Sequence, residues 1–556
     1  MKVLVSDPLA SDGIEELKKE KDIEVDVQTD LTPGELLKII GDYEGLIVRS
    51  QTKVTKDVID SAKKLKVIAR AGTGIDNVNV EAATRKGIIV MNVPGGNTIS
   101  AAENTIAMIL SMSRNIPQAN ASMKNGKWEK KKFTGTEVHD KILGIIGLGR
   151  IGTEVAKMAQ GLGMHTIGYD PFVFLEQAKK MGIEYVKLQE IFKKSDYITV
   201  HTPFSKETRH LIGKREFALM KDGVRIINCA RGGIIDETAL YDAIKTGKVA
   251  GAALDVFESE PPERSPLLTL DSVITTPHLG ASTQEAQVRV AVDAAKQVVD
   301  VLKRGMVRNA LNVASIEPEL LKQIKPYLDM AEILGSLHGQ LACGPVNSVQ
   351  ILYSGDVANY NLNPMTISIM KAMLEPMLGN SLNFVNVLTL AKERGIKIIE
   401  GKSNTPQDFT NFISVEVDSS IGKKLIAGTV FSKNLLRIVR IDEFNVDIVP
   451  SSHMLICTHE DKPGMVGKIG TILGKEKINI AGLQLSRRKK GETNLTILNV
   501  DTTPSDSAIK KIKEIEGIQE VHLIKKGDDS KKGTGYFLNE INKNLSLSLK
   551  NLVSRG

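Results

Sequence analysis

Short apolar runs alternate with amphipathic stretches along the first part of the chain. The apolar runs include MKVLVSD, IEVDVQ, GLIVRS, KVIARAGTG and GIIVMNVPG, which have the length and composition of buried parallel strands. The stretch after Ser11 and the stretch from Thr32 to Ile40 have the character of helices, and Pro33 lies near the start of the second. This alternation predicts a parallel α/β unit, which carries no dinucleotide fingerprint and is therefore expected to bind the substrate.

A second α/β region begins at the segment KILGIIGLGRIG. An apolar strand from Ile142 to Ile146 leads into a glycine-rich turn, and a helix is predicted to begin near Arg150. The turn holds a G-x-G-x-x-G pattern formed by Gly147, Gly149 and Gly152. These glycines permit a tight turn, the approach of backbone to a pyrophosphate, and close packing of helix on strand. The helix N-terminus adds free N–H groups for the phosphates.

The next strand, His165 to Tyr169, ends at Asp170. A carboxylate at about this distance after the glycines accepts hydrogen bonds from both ribose hydroxyls of a dinucleotide. It would also repel the additional phosphate of NADP. The pattern therefore predicts that NAD is the cofactor.

Polar residues follow the strands of both regions. Arg49 and Ser50 follow one strand of the first region and are candidate ligands of an anion. Further loops at strand ends contain Gly72, Thr73 and Asn97. A basic loop, 124–132, carries the only tryptophan, Trp128. The loop is either a solvated surface or a source of positive potential for an anionic substrate site in its own or a neighbouring subunit.

Three residues suited to hydride transfer lie at or just past three successive strand ends, which are expected to converge on the edge of the sheet that holds the cofactor. They are Arg231, Glu260 and His278. A histidine can accept the alcohol proton near neutral pH, and a neighbouring carboxylate would stabilise the imidazolium. The fixed fork of an arginine can pair with a substrate carboxylate or polarise a keto oxygen. We therefore predict that these residues are catalytic.

Composition excludes several other classes. The chain has 556 residues, enough for three or four domains, and 42% hydrophobic and 25% charged residues, which is ordinary for a soluble globular protein. The net charge of +7 is spread over interspersed Lys and Glu, and aromatics are only 4%, so nucleic-acid binding is not expected.

No signal sequence or membrane span is expected. Three separated cysteines, Cys229, Cys343 and Cys457, lack metal spacing, and a cytoplasmic location with reduced thiols is expected.

The catalytic segments carry a family resemblance. VRSQTKVT, RAGTGIDNVN, GLGRIG, NCARGGIIDE, ALDVFESEPP and TPHLGAST are similar to segments of the NAD-dependent D-2-hydroxyacid dehydrogenases, above all the long-form phosphoglycerate dehydrogenase branch. In that family the Arg, Glu and His of the last three segments form the catalytic set. The resemblance implies cofactor contacts at Thr73, Gly147, Gly149, Arg150, Ile151, Gly152, Asp170, Thr202, Cys229, Ala230, Asp255 and the turn His278–Gly280–Ala281.

The resemblance also implies the substrate. It would be 3-phospho-D-glycerate, oxidised to 3-phosphohydroxypyruvate in the first step of serine synthesis, with Arg49 as the candidate phosphate ligand and Asp255 near the nicotinamide amide. Ser50, Gly72 and Asn97 complete the expected substrate site. Glyoxylate or hydroxypyruvate reductase is an alternative, although such enzymes usually lack the C-terminal half. An NADH-sensing co-regulator and an amino-acid sensor with vestigial catalysis are further alternatives, against which the complete catalytic set argues.

The second half has a different pattern. Residues 317–450 resemble the intervening domain of the long-form enzymes, which implies an assembly role or an anion-binding regulatory site, or a scaffold alone. Residues 453–525 read as βαββαβ and resemble an ACT domain, an amino-acid-sensing module. The resemblance implies an effector, with L-serine as the hypothesis, in contact with His459, Asp461 and Asn479. ACT domains often pair between subunits, and a homo-oligomer, expected to be a tetramer, is implied.

The expected architecture is α/β. Two Rossmann-like parallel-sheet domains for substrate and NAD precede an α+β intervening domain and a ferredoxin-like ACT domain. The expected bounds are 1–97 with 285–313 for the substrate domain, 98–284 for the NAD domain, 317–450 for the intervening domain, 453–525 for the ACT domain and 527–556 for a tail.

Overall fold

Five parallel strands form the first sheet of the computed structural model, in the order β2-β1-β3-β4-β5. The structure describes residues 1–313, 318–341, 344–403, 409–431, 435–489 and 491–525. The strands of this sheet are β1 Lys2–Val5, β2 Glu24–Val27, β3 Gly45–Val48, β4 Val67–Arg70 and β5 Ile89–Asn92. β3 is buried along its whole length and β4 up to its last residue, as expected for a sheet with helices on both faces.

Local signals in the sequence set the ends of the helices of this first unit. Thr32 and Glu35 form a reciprocal capping box at the start of the second helix, and Pro33 occupies its first turn. Asn79 caps the fourth helix, which ends at Gly87 in the left-handed conformation. The helices are α1 Ser11–Lys18, α2 Pro33–Ile39, α3 Lys56–Ser61 and α4 Val80–Lys86.

Seven parallel strands form the second sheet, in the order β12-β11-β10-β9-β6-β7-β8. The strands are β6 Ile142–Ile146, β7 His165–Tyr169, β8 Glu184–Tyr185, β9 Tyr197–Val200, β10 Val224–Asn228, β11 Val249–Leu254 and β12 Val273–Thr275. β6 lies between β7 and β9, so the chain reverses its direction of winding there, and the carboxyl end of β6 opens onto a crevice.

Eight helices accompany this second sheet, and the last of them returns the chain to the first sheet. They are α5 Thr98–Ser113, α6 Ile116–Lys124, α7 Arg150–Gly161, α8 Leu175–Lys180, α9 Leu188–Lys194, α10 Lys214–Leu219, α11 Glu237–Lys245 and α12 Gln284–Val299. Val290, Ala294 and Val298 of α12 pack into the core over β1 and β3. The carboxyl ends of the two sheets are therefore brought into proximity.

A six-stranded mixed sheet and three helices follow. The elements are α13 Pro318–Leu341, β13 Val346–Gly355, α14 Asn363–Leu378, α15 Val387–Glu393, β14 Lys397–Ser403, β15 Asn411–Ser419, β16 Gly422–Phe431, β17 Leu435–Ile441 and β18 Phe444–Ile448. The strand order is β14-β13-β15-β16-β17-β18. Sequence analysis did not predict α13, because Pro326 lies inside it and interrupts the helical pattern.

The last unit has the predicted βαββαβ order. Its elements are β19 His453–Glu460, α16 Met465–Lys475, β20 Ile480–Arg487, β21 Thr493–Val500, α17 Asp506–Lys513 and β22 Ile518–Lys525. The four strands form an antiparallel sheet in the order β20-β21-β19-β22. The predicted fold class is confirmed: two parallel sheets precede an α+β unit and a ferredoxin-like unit.

None of the helices among the described residues is long and apolar enough to cross a membrane. Cys229 and Cys457 are both buried and unpaired. Cys343 and the tail 527–556 lie outside the described residues.

Candidate active site

A groove of about 690 Å³ lies between the first two units. Both units line it: Pro94 and Gly95 of the first unit, and Gly149, Arg150 and Thr153 of the second. The groove therefore begins beside the glycine-rich turn, at the switch point of the second sheet, where ligands of open α/β sheets bind.

The three glycines of this turn differ in conformation and surroundings. Gly147 has φ of +98°, a conformation that a side chain rarely adopts. A side chain at Gly152 would overlap the carbonyl oxygen of Gly147, so close packing of α7 on β6 requires a glycine there. Gly149 has open space on its side-chain face and precedes α7, where no side chain caps the first amides. Those amides are free for a phosphate.

Asp170 lies beside this turn at the end of β7. Its Oδ2 accepts a hydrogen bond from the amide of Leu148 at 2.9 Å, and its Oδ1 accepts one from the amide of Phe172 at 2.8 Å. These bonds fix an anionic group beside the glycine turn. The arrangement fits a ribose diol better than a phosphorylated ribose.

Thr202 provides a second indication of a dinucleotide site. It follows β9, lies close to Gly147, and its hydroxyl oxygen is buried without a hydrogen-bond partner in the structure. Since buried polar groups are normally paired, this hydroxyl fits a polar group of the dinucleotide. Arg150 is exposed beside Gly95, and Ile151 is half-buried at the start of α7.

Asp255 and the turn 278–281 form a rigid support. Asp255 is completely buried. Its Oδ1 accepts hydrogen bonds from the Thr276 hydroxyl at 2.6 Å and the Leu279 amide at 2.7 Å, and its Oδ2 accepts one from the Gly280 amide at 2.8 Å. All three bonds hold the turn, and Ala281 ends it. The expected contact of Asp255 with the nicotinamide amide stays a prediction.

Two further predicted cofactor residues follow β10. Cys229 is buried, and this burial, with the charge of Asp255, raises the pKa of its thiol to about 12. The thiol is therefore protonated at neutral pH and unsuited to nucleophilic chemistry. The amide of Ala230 donates to Asn228 Oδ1 at 3.0 Å, while Asn228 Nδ2 donates to the carbonyl of Arg231 at 2.8 Å. Asn228 thus orders the loop that carries Arg231.

His278 and Glu260 form a hydrogen-bonded pair, with 2.8 Å between Nδ1 and Oε2. Glu260 Oε1 also accepts from the amide of Phe257 at 3.2 Å. Burial would raise the pKa of Glu260, but the hydrogen bond and charge of His278, the Phe257 amide and the charge of Arg231 together lower it. Glu260 is therefore an acceptor-only carboxylate at neutral pH, and the ring nitrogen that faces it must carry a hydrogen. His278 Nε2 is left free to accept a proton.

Arg231 extends from this sheet towards the first unit. Its Nε donates to Asp76 Oδ2 at 3.0 Å, and its Nη1 donates to the carbonyl of Ala230 at 2.7 Å. A side chain at Gly74 would overlap Nη2 of Arg231. Sequence analysis missed Asp76; its position after β4, in the segment GTGIDN, was the available signal.

Arg49 and Ser50 lie at the end of β3, where a buried carboxylate orders their loop. Asp7 accepts hydrogen bonds from the backbone of Arg49 at 2.6 Å and of Thr52 at 2.9 Å. The Arg49 side chain donates to the carbonyl of Pro8 at 3.1 Å, and Ser50 is exposed. Both are accessible to an anionic ligand.

Arg70 is a substrate-site candidate that sequence analysis also missed. It ends β4, its Nε donates to the carbonyl of Arg49 at 3.3 Å, and a side chain at Gly72 would overlap its Nη1. Burial and the charge of Arg231 lower the pKa of Arg70 to about 10. The residue still carries its charge at neutral pH. Its place at a strand end next to that of Arg49 was the signal that could have found it.

Thr73 and Asn97 are brought together by the structure. The Thr73 hydroxyl donates to Asn97 Oδ1 at 2.6 Å, and the side-chain Nδ2 of Asn92 donates to the carbonyl of Thr73. This contact joins the loops after β4 and β5 at the edge of the groove. Roles of Thr73 in binding the cofactor and of Asn97 in binding the substrate stay predictions.

The predicted effector residues are less closely grouped. His459 is buried, and its ring nitrogens lie 2.8 Å from the Glu460 carbonyl and 2.8 Å from the Thr496 hydroxyl. Asp461 accepts from Arg487 at 2.8 Å and from Asn494 at 2.8 Å. Asn479 donates to Asp501 at 2.8 Å, and the described hydrogen bonds do not join it to the other two. Effector binding at these residues stays a prediction.

Comparison with protein-family models gives three matches along the chain. Residues 106–280 match "D-isomer specific 2-hydroxyacid dehydrogenase, NAD binding domain". Residues 323–442 match "D-3-phosphoglycerate dehydrogenase intervening domain", and residues 453–517 match "ACT domain". The first match covers the second sheet, and the other two cover the third and fourth sheets except for the last strand of each, β18 and β22.

Curated relatives match over nearly the whole chain. The D-3-phosphoglycerate dehydrogenase of Archaeoglobus fulgidus is 46% identical over 93% of this chain and 98% of its own length. That of Methanocaldococcus jannaschii is 46% identical over 94% of this chain and 99% of its own length. Among solved structures, a glyoxylate reductase from Paecilomyes thermophila is 28% identical, with a TM-score of 0.52, over 56% of this chain and 98% of that one.

Proposed function

Because the chain belongs to the D-3-phosphoglycerate dehydrogenase family, we propose that it oxidises 3-phospho-D-glycerate to 3-phosphohydroxypyruvate with NAD, the first step of L-serine biosynthesis. The observation that carries the catalytic assignment is the His278–Glu260 pair at 2.8 Å, with Arg231 near enough for its charge to lower the pKa of Glu260. This set supplies a base, an anion to hold that base, and a guanidinium for the substrate.

His278 acts as the general base in this reaction. Its Nδ1–H donates to Glu260, so Nε2 is free to take the proton of the substrate 2-hydroxyl. NAD, when bound, accepts the hydride from C2. The imidazolium that forms is stabilised by Glu260, whose lowered pKa keeps it ionised. In the reverse direction the same imidazolium returns its proton to the keto oxygen.

Three arginines, Arg49, Arg70 and Arg231, bind the negatively charged groups of the substrate. Arg231 binds the carboxylate and polarises the developing keto oxygen. Arg49 and Arg70, which lie at adjacent strand ends and are linked through the Arg49 carbonyl, bind the phosphate. A substrate without phosphate, such as glyoxylate, would leave these two cations without a partner, which favours phosphoglycerate over the glyoxylate alternative.

The residues around the groove support NAD as cofactor. The free amides at the start of α7 suit the pyrophosphate, and Asp170 suits the ribose. The unpaired hydroxyl of Thr202 offers one more polar contact. Thr73, Cys229, Ala230, Asp255 and Ala281 remain proposed contacts.

One assay tests the proposal directly. NAD reduction with 3-phosphoglycerate should occur with the wild-type chain, and His278→Ala should lower kcat roughly 10²- to 10⁴-fold, as for removal of a general base. NAD binding should persist in that variant. His165→Ala is the matched control, because this exposed histidine is the first residue of β7. It therefore lies at the amino ends of the strands of the same sheet, opposite to the candidate active site.

Two outcomes would contradict the proposal. Equal losses of NAD affinity and turnover in His278→Ala would mean that the histidine supports the pocket rather than the chemistry. Faster turnover of glyoxylate than of 3-phosphoglycerate would favour the reductase alternative.

L-serine is the proposed effector of the ACT domain, contacting His459, Asp461 and Asn479. The support is the ACT match and the position of these residues at the end of β19 and before β20. A serine titration of activity should show inhibition, and a flat titration would remove the hypothesis.

A homotetramer in the cytoplasm is the proposed state of the protein. Trp128 is 80% exposed, and Met123 and Ile116 on the preceding helix α6 are also exposed apolar side chains, which supports a subunit contact in this segment of the chain. The two described cysteines are unpaired, as expected in a reducing compartment. Light scattering should give the mass of four chains, and a monomer would contradict the assembly.

A further inference from the structure

We propose that Asp76 is a positioning residue for Arg231, and that it sets the orientation in which the guanidinium meets the substrate. The inference rests on the proposed function, since it concerns the same reaction. Asp76 lies in the loop between β4 and α4, and its Oδ2 accepts from Arg231 Nε at 3.0 Å. The bond joins loops at the carboxyl ends of the two parallel sheets.

The hydrogen bonds of Arg231 leave its substrate-facing donors available. Asp76 takes Nε–H, and the Ala230 carbonyl takes one hydrogen of Nη1. A guanidinium has five N–H donors in one plane, so about three remain. Two bonds from different directions fix that plane. Asp76 therefore orients the fork without occupying all of it.

Neighbouring cations make this orientation necessary. Burial and the charges of Arg231 and Arg49 lower the pKa of Arg70, while the charge of Asp76 raises it, and Arg70 Nε donates to the Arg49 carbonyl at 3.3 Å. Without a substrate anion the three guanidinium groups repel one another. Asp76 holds Arg231 in place against that repulsion.

A glycine and an asparagine on either side of Asp76 allow its contact with Arg231. Gly74, two residues before Asp76, has no side chain, and any Cβ there would overlap Nη2 of Arg231. The next residue, Asn77, donates to the carbonyls of Arg49 at 2.9 Å and Thr52 at 2.6 Å. Asp76 therefore orders the loop of Arg231 through a side-chain ion pair, and Asn77 orders the loop of Arg49 through backbone carbonyls.

A stabilising role does not explain Asp76. Its side chain is 65% exposed and that of Arg231 is 30% exposed, and exposed ion pairs add little to folding stability. Loss of the Asp76 charge should therefore leave the thermal midpoint nearly unchanged. An effect on turnover would have to arise through Arg231.

The test is a double-mutant cycle in the full chain with 3-phosphoglycerate and NAD. Asp76→Asn should lower kcat/KM about tenfold, mainly through kcat, with NAD affinity and thermal midpoint unchanged. Arg231→Lys keeps the charge but lacks the Nε donor, so Asp76→Asn in that background should cost less than twofold. Asp57→Asn, which removes the same charge from an exposed position in α3, should have no effect.

Several results would overturn the inference. An equal loss in both backgrounds would show that Asp76 acts independently of Arg231. A lower KM in Asp76→Asn would show that Asp76 competes with the substrate instead of orienting its partner, and unchanged kcat/KM would show no role. An active wild type with any of these results would leave the proposed function standing, whereas an inactive wild type would refute both.

Discussion

Backbone contacts hold His278 in place, in addition to the hydrogen bond of its ring with Glu260. Its φ is +56°, an uncommon conformation for a residue with a side chain. Its amide donates to the Asp255 carbonyl at 2.9 Å, and the Asp255 carboxylate binds the amides of the next two residues. Strained backbone of this kind persists where surrounding bonds over-determine it. At the residue scale, the buried Asp255 is thus as necessary to the position of the imidazole as Glu260 is to its protonation.

Another histidine, outside the active site, should make stability depend on pH. His338 in α13 is buried, its Nε2 lies 2.9 Å from the Val415 carbonyl, and burial lowers its pKa to about 4 from 6.5. Between these values the unfolded chain binds a proton that the folded chain does not. Stability should therefore be complete above pH 6.5 and fall as the pH is lowered towards 4, by up to about 1.4 kcal/mol per pH unit.

His338→Gln should remove that part of the pH dependence. Urea denaturation at a series of pH values, followed by circular dichroism, measures it; fluorescence is unsuitable because the only tryptophan, Trp128, lies in another unit. His139→Gln, an exposed position, is the control. Parallel stability curves for wild type and His338→Gln would contradict the prediction.

At the scale of elements, β6, the glycine turn and α7 form one continuous strand–turn–helix unit. The strand ends at Ile146, Gly147 reverses the chain with its positive φ, and α7 begins at Arg150 against the strand. The contact of Gly152 with the Gly147 carbonyl sets how closely helix and strand approach. The position of the free amides depends on that approach.

Gly152→Ala should therefore displace α7 from β6. We expect NAD affinity to fall at least tenfold and the thermal midpoint to drop. Gly161→Ala, at the other end of the same helix, meets open space, and should leave both unchanged or raise stability slightly through helix propensity. Calorimetric NAD titration and thermal melts measure both quantities, and equal behaviour of the two variants would count against the packing role.

At the scale of the whole molecule, the C-terminal half is a single packed body. One core cluster joins residues of the third and fourth units, including Ile351 and Val415 with Ile456 and Ile497. Gln340 and Lys525 exchange hydrogen bonds at 3.0 and 2.9 Å, and both lie in this body. The ACT sheet is therefore covered on the face opposite its helices.

The contact between this body and the catalytic half is different in kind. It consists largely of polar contacts at the end of α4: Arg85 pairs with Glu393 at 2.6 Å, and Asn383 donates to the Gly87 carbonyl at 3.0 Å. No hydrophobic cluster among the described residues spans the two halves. Polar, partly exposed contacts of this kind contribute little to stability.

Fragments should reflect this division. A fragment of residues 1–313 should fold and bind NAD, and a fragment of residues 318–525 should unfold in one transition. A fragment of residues 318–450 should aggregate, because its side of the shared core would be exposed to water. Expression, circular dichroism and light scattering of the three fragments test this; a stable, monomeric 318–450 would show that the shared core is dispensable.

Sequence analysis was most successful where the determining contacts are local. The apolar runs predicted the parallel strands, and strand-end position brought out Arg231, Glu260 and His278. It was less successful where a local signal was interrupted or ambiguous. Pro326 hid α13. Arg70 ends a strand, as its position in the sequence indicates, but only the pairing of β3 with β4 shows that it is a neighbour of Arg49.

The chain order alone determined the glycine-rich turn, the placement of Arg231, Glu260 and His278 at or just past strand ends, and the order of the units, because each depends on spacing within a few residues or on strands that repeat in order. Only the tertiary structure decided which distant groups meet. Arg231 and Asp76 are 155 positions apart, and Gln340 and Lys525 are 185 apart. Such partners depend on how separately folded sheets dock. Docking is set by the shapes of whole surfaces, which no short pattern of residues encodes.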